Sequence, residues 1–199
     1  MDIGSPSAGT PAEARRALRQ HLIDLRRNLP ESTVEAWSLR VRDHLAENYP
    51  DLAGKRVAFC WPIQNEPDLR PLMAQWREAG LPGFAALLPV VVAPRTPLAF
   101  RAWDESTPLI EDRYGIPYPP HGPHLTPEAL LIPVNAFDAA GYRLGYGGGF
   151  FDRTLAALSP RPLAIGVGFE LARVESIAPE AHDIRLDAIV TEAGAFRCA

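Results

Sequence analysis

The spacing of apolar residues changes along the chain, and the changes mark out its elements. Leu18, Leu22, Leu25 and Leu29 recur at the three-to-four-residue interval of a helix, predicting one over Ala12–Asn28 that Pro30 stops. At about 100° per residue, Arg15, Arg19 and Arg26 fall in a narrow stripe bordering that apolar face. Ser32 and Glu35 make a capping-box pattern ahead of a second helix with Val34, Trp37, Val41 and Leu45 inward. Leu69, Leu72, Met73 and Trp76 mark a third helix, and Phe150–Leu158 a fourth. Between them lie short apolar runs that read as strands: Arg56–Trp61, Phe84–Val92, Leu98–Trp103 and Leu130–Val134, with Leu163–Phe169 and Leu186–Thr191 as the last two. Thr107–Pro127, rich in proline, glycine and histidine, reads as a long surface loop. Helices alternating with short buried strands predict an α/β sandwich with a largely parallel sheet.

Composition adds boundaries to that picture. The 199 residues suffice for one domain with a full core. Met1–Pro11 is small and polar and reads as a disordered tail, which leaves residues 12–199 as a single domain. A net charge of -4 offers no broad basic surface, so no nucleic-acid partner is expected. No run approaches the ~18 apolar residues of a membrane span, and the N-terminus has no basic-then-apolar signal pattern. A cytoplasmic protein without a membrane partner, and a monomer, is the expectation. Cys60 lies in an apolar run and Cys198 at the chain end, so a buried thiol and a tail thiol are expected rather than a disulfide.

The chemistry concentrates in Arg143–Arg153, where Gly145, Gly147, Gly148 and Gly149 fall within five positions ahead of a helix. Glycines let backbone N–H groups converge on an anion, and the helix N-terminus adds positive potential. The same pattern also suits a plain tight turn, and it is neither a Walker motif nor a dinucleotide fingerprint. Asp152, in the first helical turn, is either a carboxylate favoured by the helix dipole or a magnesium ligand beside phosphates. Asp183 is a second such candidate or a loop cap; His182 reads as structural. Arg15 and Arg19, one turn apart, form a solvated face or lean over a cleft edge, where guanidinium forks suit phosphates. Glu66 follows a strand, at the end where open α/β sheets bind ligands, or is an ordinary loop glutamate. Trp61 is core or a stacking wall for a flat heterocycle.

Together these pieces resemble the 5-formyltetrahydrofolate cyclo-ligase (methenyltetrahydrofolate synthetase) family, from about Ala14 to Glu192. Arg143–Asp152 is similar to the family's RLGxGxGYYD signature, and Pro133–Asp138 to its PxxxFD strand exit. Arg15–Arg19 resembles its N-terminal basic-x-x-Leu-Arg motif. His182-Asp183, Leu186-Asp187 and Thr191-Glu192 resemble its HD…LD…TE pattern. The resemblance implies a three-layer, Rossmann-like α/β/α sandwich and ATP-dependent closure of 5-formyltetrahydrofolate to 5,10-methenyltetrahydrofolate. It implies that ATP is held by Arg15, Arg16, Ala17, Leu18 and Arg19, and by Arg143, Leu144, Gly145, Tyr146, Gly147, Gly148, Gly149, Phe150 and Phe151. Trp61 and Glu66 would line the folate site, with Tyr146, Gly147, Gly148, Gly149 and Phe150 shared. Asp152 and Asp183 would hold magnesium. No side-chain nucleophile is implied. Three positions depart from the pattern: Phe151 for a tyrosine, Tyr118 for a glutamate and Arg173 for a glutamine. The alternatives are a non-catalytic folate- or nucleotide-binding paralogue and a sugar-phosphate isomerase-like enzyme on a related fold.

Overall fold

The structure, a computed structural model, describes residues 10–198. A seven-stranded sheet forms its middle layer. In chain order its strands are β1 (Arg56–Ala58), β2 (Ala85–Val90), β3 (Ala99–Ala102), β6 (Ala129–Pro133), β9 (Leu163–Val167), β10 (Ala188–Thr191) and β11 (Gly194–Arg197). The short pairs β4 (Ile110–Glu111) with β5 (Pro117–Tyr118), and β7 (Ala136–Phe137) with β8 (Arg143–Leu144), make two separate ribbons. The sheet order is β11-β10-β9-β6-β1-β2-β3. The five inner strands run parallel, while β3 and β11 close the edges antiparallel.

Parallel strands are covered on both faces, which is why their sequences are nearly continuous apolar runs. Val57, Phe59, Leu88, Leu131, Ile165 and Val190 pack on one side with Val41 and Leu45 of α2 (Glu31–Asn48) and Leu72, Met73 and Trp76 of α3 (Arg70–Glu78). The alternate residues Ala58, Leu87, Leu130, Ala164 and Ile189 pack on the other with Leu155 of α4 (Phe150–Ala157). The result is a three-layer α/β/α sandwich. α1 (Pro11–Arg27) stands apart from these layers and docks Leu18 and Leu22 on Leu144 and Ala136 of the β7–β8 ribbon. No helix among the described residues is long and apolar enough to cross a membrane.

The topology selects a place for a ligand. β1 is followed by β2 on one side of the sheet, and the chain then returns to build β6, β9 and β10 on the other. At such a reversal the loops leaving the two central strands diverge and open a crevice at their carboxyl ends. Here those loops are residues 59–69, after β1, and the stretch from residue 134 to α4, after β6.

Several expectations need correction. The Ser32/Glu35 capping box does not form: α2 starts at Glu31 with Pro30 as its cap and no side-chain cap bond. The box forms instead at Thr10 and Glu13, so Thr10 and Pro11 belong to α1; the rest of the expected tail lies outside the described residues. Leu25 is 45% exposed whereas Arg26 is 3% exposed, so the inward stripe of α1 carries a charge where a leucine was expected. Thr107–Pro127 is not simply loop: it contains the β4–β5 ribbon, tied to β3 by Arg101, which donates to the carbonyls of Pro119 (2.9 Å) and Pro120 (2.7 Å). Leu186–Thr191 is not the last strand, because β11 follows a tight turn and pairs back on β10. Both cysteines are free, as expected.

The position of α4 depends on one buried hydroxyl. Thr154 Oγ1 donates to the Phe150 carbonyl (2.7 Å) and accepts from the Leu98 N–H (2.9 Å), joining the helix to the β2–β3 connection. Thr154→Val keeps the shape and leaves that N–H without a partner, at a cost of roughly 1–3 kcal/mol. Denaturant unfolding is expected to show that loss, with a melting temperature lower by about 2–4 °C per kcal/mol. Unchanged stability would mean that another group takes the Leu98 N–H.

Candidate active site

A cavity of ≈ 660 Å³ opens at the carboxyl ends of β1 and β6. Its walls come from α1, the β1 loop, the β4–β5 ribbon and the glycine segment ahead of α4.

One end is built around Arg26. Its Nε donates to the Gln64 carbonyl (2.9 Å), Nη1 to Asn135 Oδ1 (2.9 Å) and Nη2 to the Tyr146 hydroxyl (2.9 Å). The last nitrogen also lies 3.7 Å from Glu66 Oε1. Tyr146 donates to that same oxygen (2.7 Å), and the Ile63 N–H donates to Oε2 (3.1 Å). Asn65, with φ +60°, turns the loop and donates to the carbonyls of Arg26, Arg27 and Leu29 at the end of α1. Burial raises the Glu66 pKa, and Arg26, Tyr146 and Ile63 work against that rise. Burial and the Glu66 charge also push the Cys60 thiol up, which favours its neutral form. Trp61 stands beside them, edge-on to Trp103 at 6.1 Å and under the Arg70 guanidinium at 4.6 Å.

The other end is cationic. Arg15 grips Asp183 with both terminal nitrogens (2.8 and 3.2 Å) and also donates to the Ala178 carbonyl. Arg143 donates to Asp152 Oδ1 (2.9 Å) and to the Ile184 carbonyl (2.7 Å). Both arginines are therefore neutralised. Arg19 is different, since its bond is to a carbonyl, that of Gly145 (2.6 Å). Burial, then the positive neighbours Arg15 and Arg16, pull its pKa down. A bound anion would relieve that tension. Gly149, at φ +63°, caps α4, and Gly147, at φ +88°, would bring a Cβ within 3.5 Å of Arg19. Both positive-φ positions favour glycine, and a Cβ at Gly149 would meet Arg153 Nη1 at 2.9 Å.

The two carboxylates differ in what they can still hold. Asp152 Oδ1 accepts from Arg143 and from the Ile184 N–H, and Oδ2 has no hydrogen bond among the described residues. Both Asp183 oxygens are engaged, by Arg15 and the Glu180 N–H. Burial works against its ionisation, but those bonds, with the charges of Arg15 and His182, hold its carboxyl below the usual range. No group of three or more His, Cys, Asp or Glu residues forms a metal cage among the described residues. One open carboxylate oxygen fits a magnesium ion that takes its other ligands from phosphates and water.

Of the residues singled out in the sequence, the cavity gathers Arg15, Arg19, Trp61, Glu66, Asp183 and the whole segment Arg143–Asp152. Arg16 and Ala17 are exposed and outside it, and Leu18 packs on the ribbon, because only the four-residue step from Arg15 to Arg19 keeps one helix face. Phe151 and Tyr118 line the cavity. Arg173 does not: it pairs with Glu170 and lies between the rings of Phe137 (4.9 Å) and Phe196 (4.4 Å). Arg153 folds back on the Gly148 carbonyl. Sequence reasoning missed Arg26 and Asn135 as site residues, and the wall of Asp112, Tyr114 and Ile116 in the β4–β5 turn. The stripe Arg15–Arg19–Arg26 was the available signal for the first; nothing local marked the others.

Comparison with known proteins places this arrangement. The 5-formyltetrahydrofolate cyclo-ligase family profile matches residues 11–192. The Mycolicibacterium smegmatis 5-formyltetrahydrofolate cyclo-ligase is 31% identical over 189 residues, covering 89% of this chain and 93% of that protein. The Escherichia coli K12 5-formyltetrahydrofolate cyclo-ligase is 31% identical over 152 residues, 71% of this chain and 80% of that protein. Among solved structures, the Aquifex aeolicus 5,10-methenyltetrahydrofolate synthetase superposes with a TM-score of 0.79 at 28% identity, covering 92% of each chain. The extent of these matches, across the glycine segment, both aspartates and the fold that presents them, shows that the chain belongs to the 5-formyltetrahydrofolate cyclo-ligase family of enzymes.

Proposed function

We propose that the chain converts 5-formyltetrahydrofolate to 5,10-methenyltetrahydrofolate, consuming ATP with magnesium and releasing ADP and phosphate. It would act as a monomeric, single-domain cytoplasmic enzyme on small-molecule substrates. The observation that carries this reading is a single cavity with two unlike ends. Arg19, bonded to Gly145, and Arg26, bonded to Tyr146 beside Glu66, lie 7 residues apart on α1, or about 10 Å at about 1.5 Å per residue. That step sets the cationic end apart from the Trp61–Glu66 wall and suits phosphates laid end to end with a flat heterocycle.

The N5-formyl group is an amide, so its carbon is a poor electrophile and its oxygen a poor leaving group. The formyl oxygen attacks the γ-phosphorus and ADP departs. N10 then attacks the activated carbon, loses its proton, and phosphate leaves as the five-membered ring closes. Neither step needs a side-chain nucleophile, and the protein supplies position and charge. Arg19 and the Gly145–Gly149 amides would hold the phosphates, and Arg15 would face them while anchored by Asp183. Glu66, where Arg26 opposes the rise that burial imposes, would accept N–H donors of the pterin, and Trp61 would wall its face. Magnesium, held by Asp152 Oδ2 and phosphate oxygens, would neutralise charge on the transferred group. Family membership sets aside the sugar-phosphate isomerase reading, and activity separates an enzyme from a silent paralogue.

The deciding experiment follows the methenyl chromophore spectroscopically. Product is expected from 5-formyltetrahydrofolate only when ATP and magnesium are both present. Absence of product with both present would return the chain to a binding role. For the metal, Asp152→Asn preserves the acceptor for Arg143 and Ile184 but removes the charge. Its magnesium activation midpoint is expected to rise tenfold or more (roughly 1.4 kcal/mol or above) in a protein that circular dichroism shows to be folded. A wild-type midpoint would assign Asp152 to holding Arg143 alone.

A further inference from the structure

One side chain physically connects the two ends of the cavity. Tyr146 has its backbone in the glycine loop, between Gly145 and Gly147, and its hydroxyl at Glu66. The phenol donates to Glu66 Oε1 at 2.7 Å and accepts from Arg26 Nη2 at 2.9 Å. Behind Glu66 the partners are fixed: Arg26 is buried, and the Ile63 N–H belongs to the loop itself. Among the groups bonded to Glu66 only the phenol comes from the glycine loop, and both residues line the cavity, Tyr146 44% exposed and Glu66 5% exposed. A heterocycle that would bond Glu66 Oε1 from the cavity competes with the phenol for that oxygen. Burial and the adjacent Glu66 charge push the phenol's pKa up, so it stays a donor across the working pH range.

The loop that carries Tyr146 is rich in glycine. Gly147 holds a positive φ, and Gly145 has open space where a Cβ would stand. An anion that gathers the loop's N–H groups must draw the backbone toward itself, and Tyr146 is attached to that backbone. We infer that Tyr146 is a latch on Glu66: polyphosphate binding at the glycine loop withdraws the phenol and opens the carboxylate to the folate ring. The two substrates then bind cooperatively, each tightening the other by the same factor. Tyr146 is in this sense a positioning residue that acts through Glu66. The inference rests on the assignment of the two cavity ends proposed above.

The test is calorimetric, on the full chain, with the β,γ-imido analogue of ATP plus magnesium and with 5-formyltetrahydrofolate. Each ligand is titrated alone and in the presence of the other, for the wild type and Tyr146→Phe. In the wild type, each ligand is expected to tighten the other roughly tenfold, the scale of one charge-assisted hydrogen bond exchanged. In Tyr146→Phe, folate is expected to bind without nucleotide as tightly as it binds the wild type with nucleotide, and the coupling factor to fall to about one. A merely structural tyrosine would lower both affinities and leave the factor unchanged. Independent binding of both ligands to the wild type, or an unchanged factor in Tyr146→Phe, overturns the latch and leaves the two-ended site standing. If neither ligand binds the wild type, the functional reading and the latch fall together.

Discussion

A buried guanidinium at Arg26 joins four segments that are distant in sequence. Arginine loses strong hydration when it is taken out of water, and a fold tolerates that only when its donors meet oriented acceptors. Here the acceptors are a loop carbonyl after β1, the Asn135 side chain after β6, and the hydroxyl of the glycine loop, with the Glu66 carboxylate alongside. The two loops that diverge at the reversal of strand order are thus fastened to each other and to the last turn of α1. Glu66 depends on this directly. Burial favours its neutral form, and Arg26, Tyr146 and Ile63 are the groups that oppose that preference.

The cationic end follows a complementary rule. Arg15 and Arg143 each have a carboxylate, so they contribute shape and anchoring more than free charge. Arg19, facing a carbonyl beside two other arginines, is the position where added negative charge is most favoured. Gly147 lies beside that guanidinium in a left-handed conformation, and Gly149 lies against Arg153 in another. One helix therefore serves both ends of the cavity: its first turns face the loop that suits phosphates, and its last turn clamps the wall that suits a heterocycle.

Much of this was legible in the sequence because it is periodic or compositional. The inner strands and α3 were placed by apolar runs whose burial is nearly complete, and the glycine segment by a density of glycine that ordinary packing does not need. What escaped depends on distant partners. Arg26 sits on the arginine stripe of α1, but only tertiary contact with Gln64, Asn135 and Tyr146 separates it from a solvated arginine. The β4–β5 ribbon has two-residue strands, too short for any alternation, and is fixed by Arg101 reaching across from β3. Thr10 and Glu13 made a better capping box than Ser32 and Glu35 because Pro30, with its fixed φ, had already set the start of α2. Arg173, a departure from the family pattern, turned out to fill a gap between two phenylalanines away from the cavity.

If the Arg26 network is what fastens the walls together, its energy must be shared with Glu66, and a double-mutant cycle measures that share. Unfolding free energies of the wild type, Arg26→Met, Glu66→Gln and the double variant suffice. Arg26→Met strands a buried carboxylate and is expected to cost about 3–5 kcal/mol. Adding Glu66→Gln removes the stranded charge, so the double variant is expected to be more stable than Arg26→Met alone. Costs that simply add, or an Arg26→Met protein as stable as the wild type, would contradict the central place given to this guanidinium.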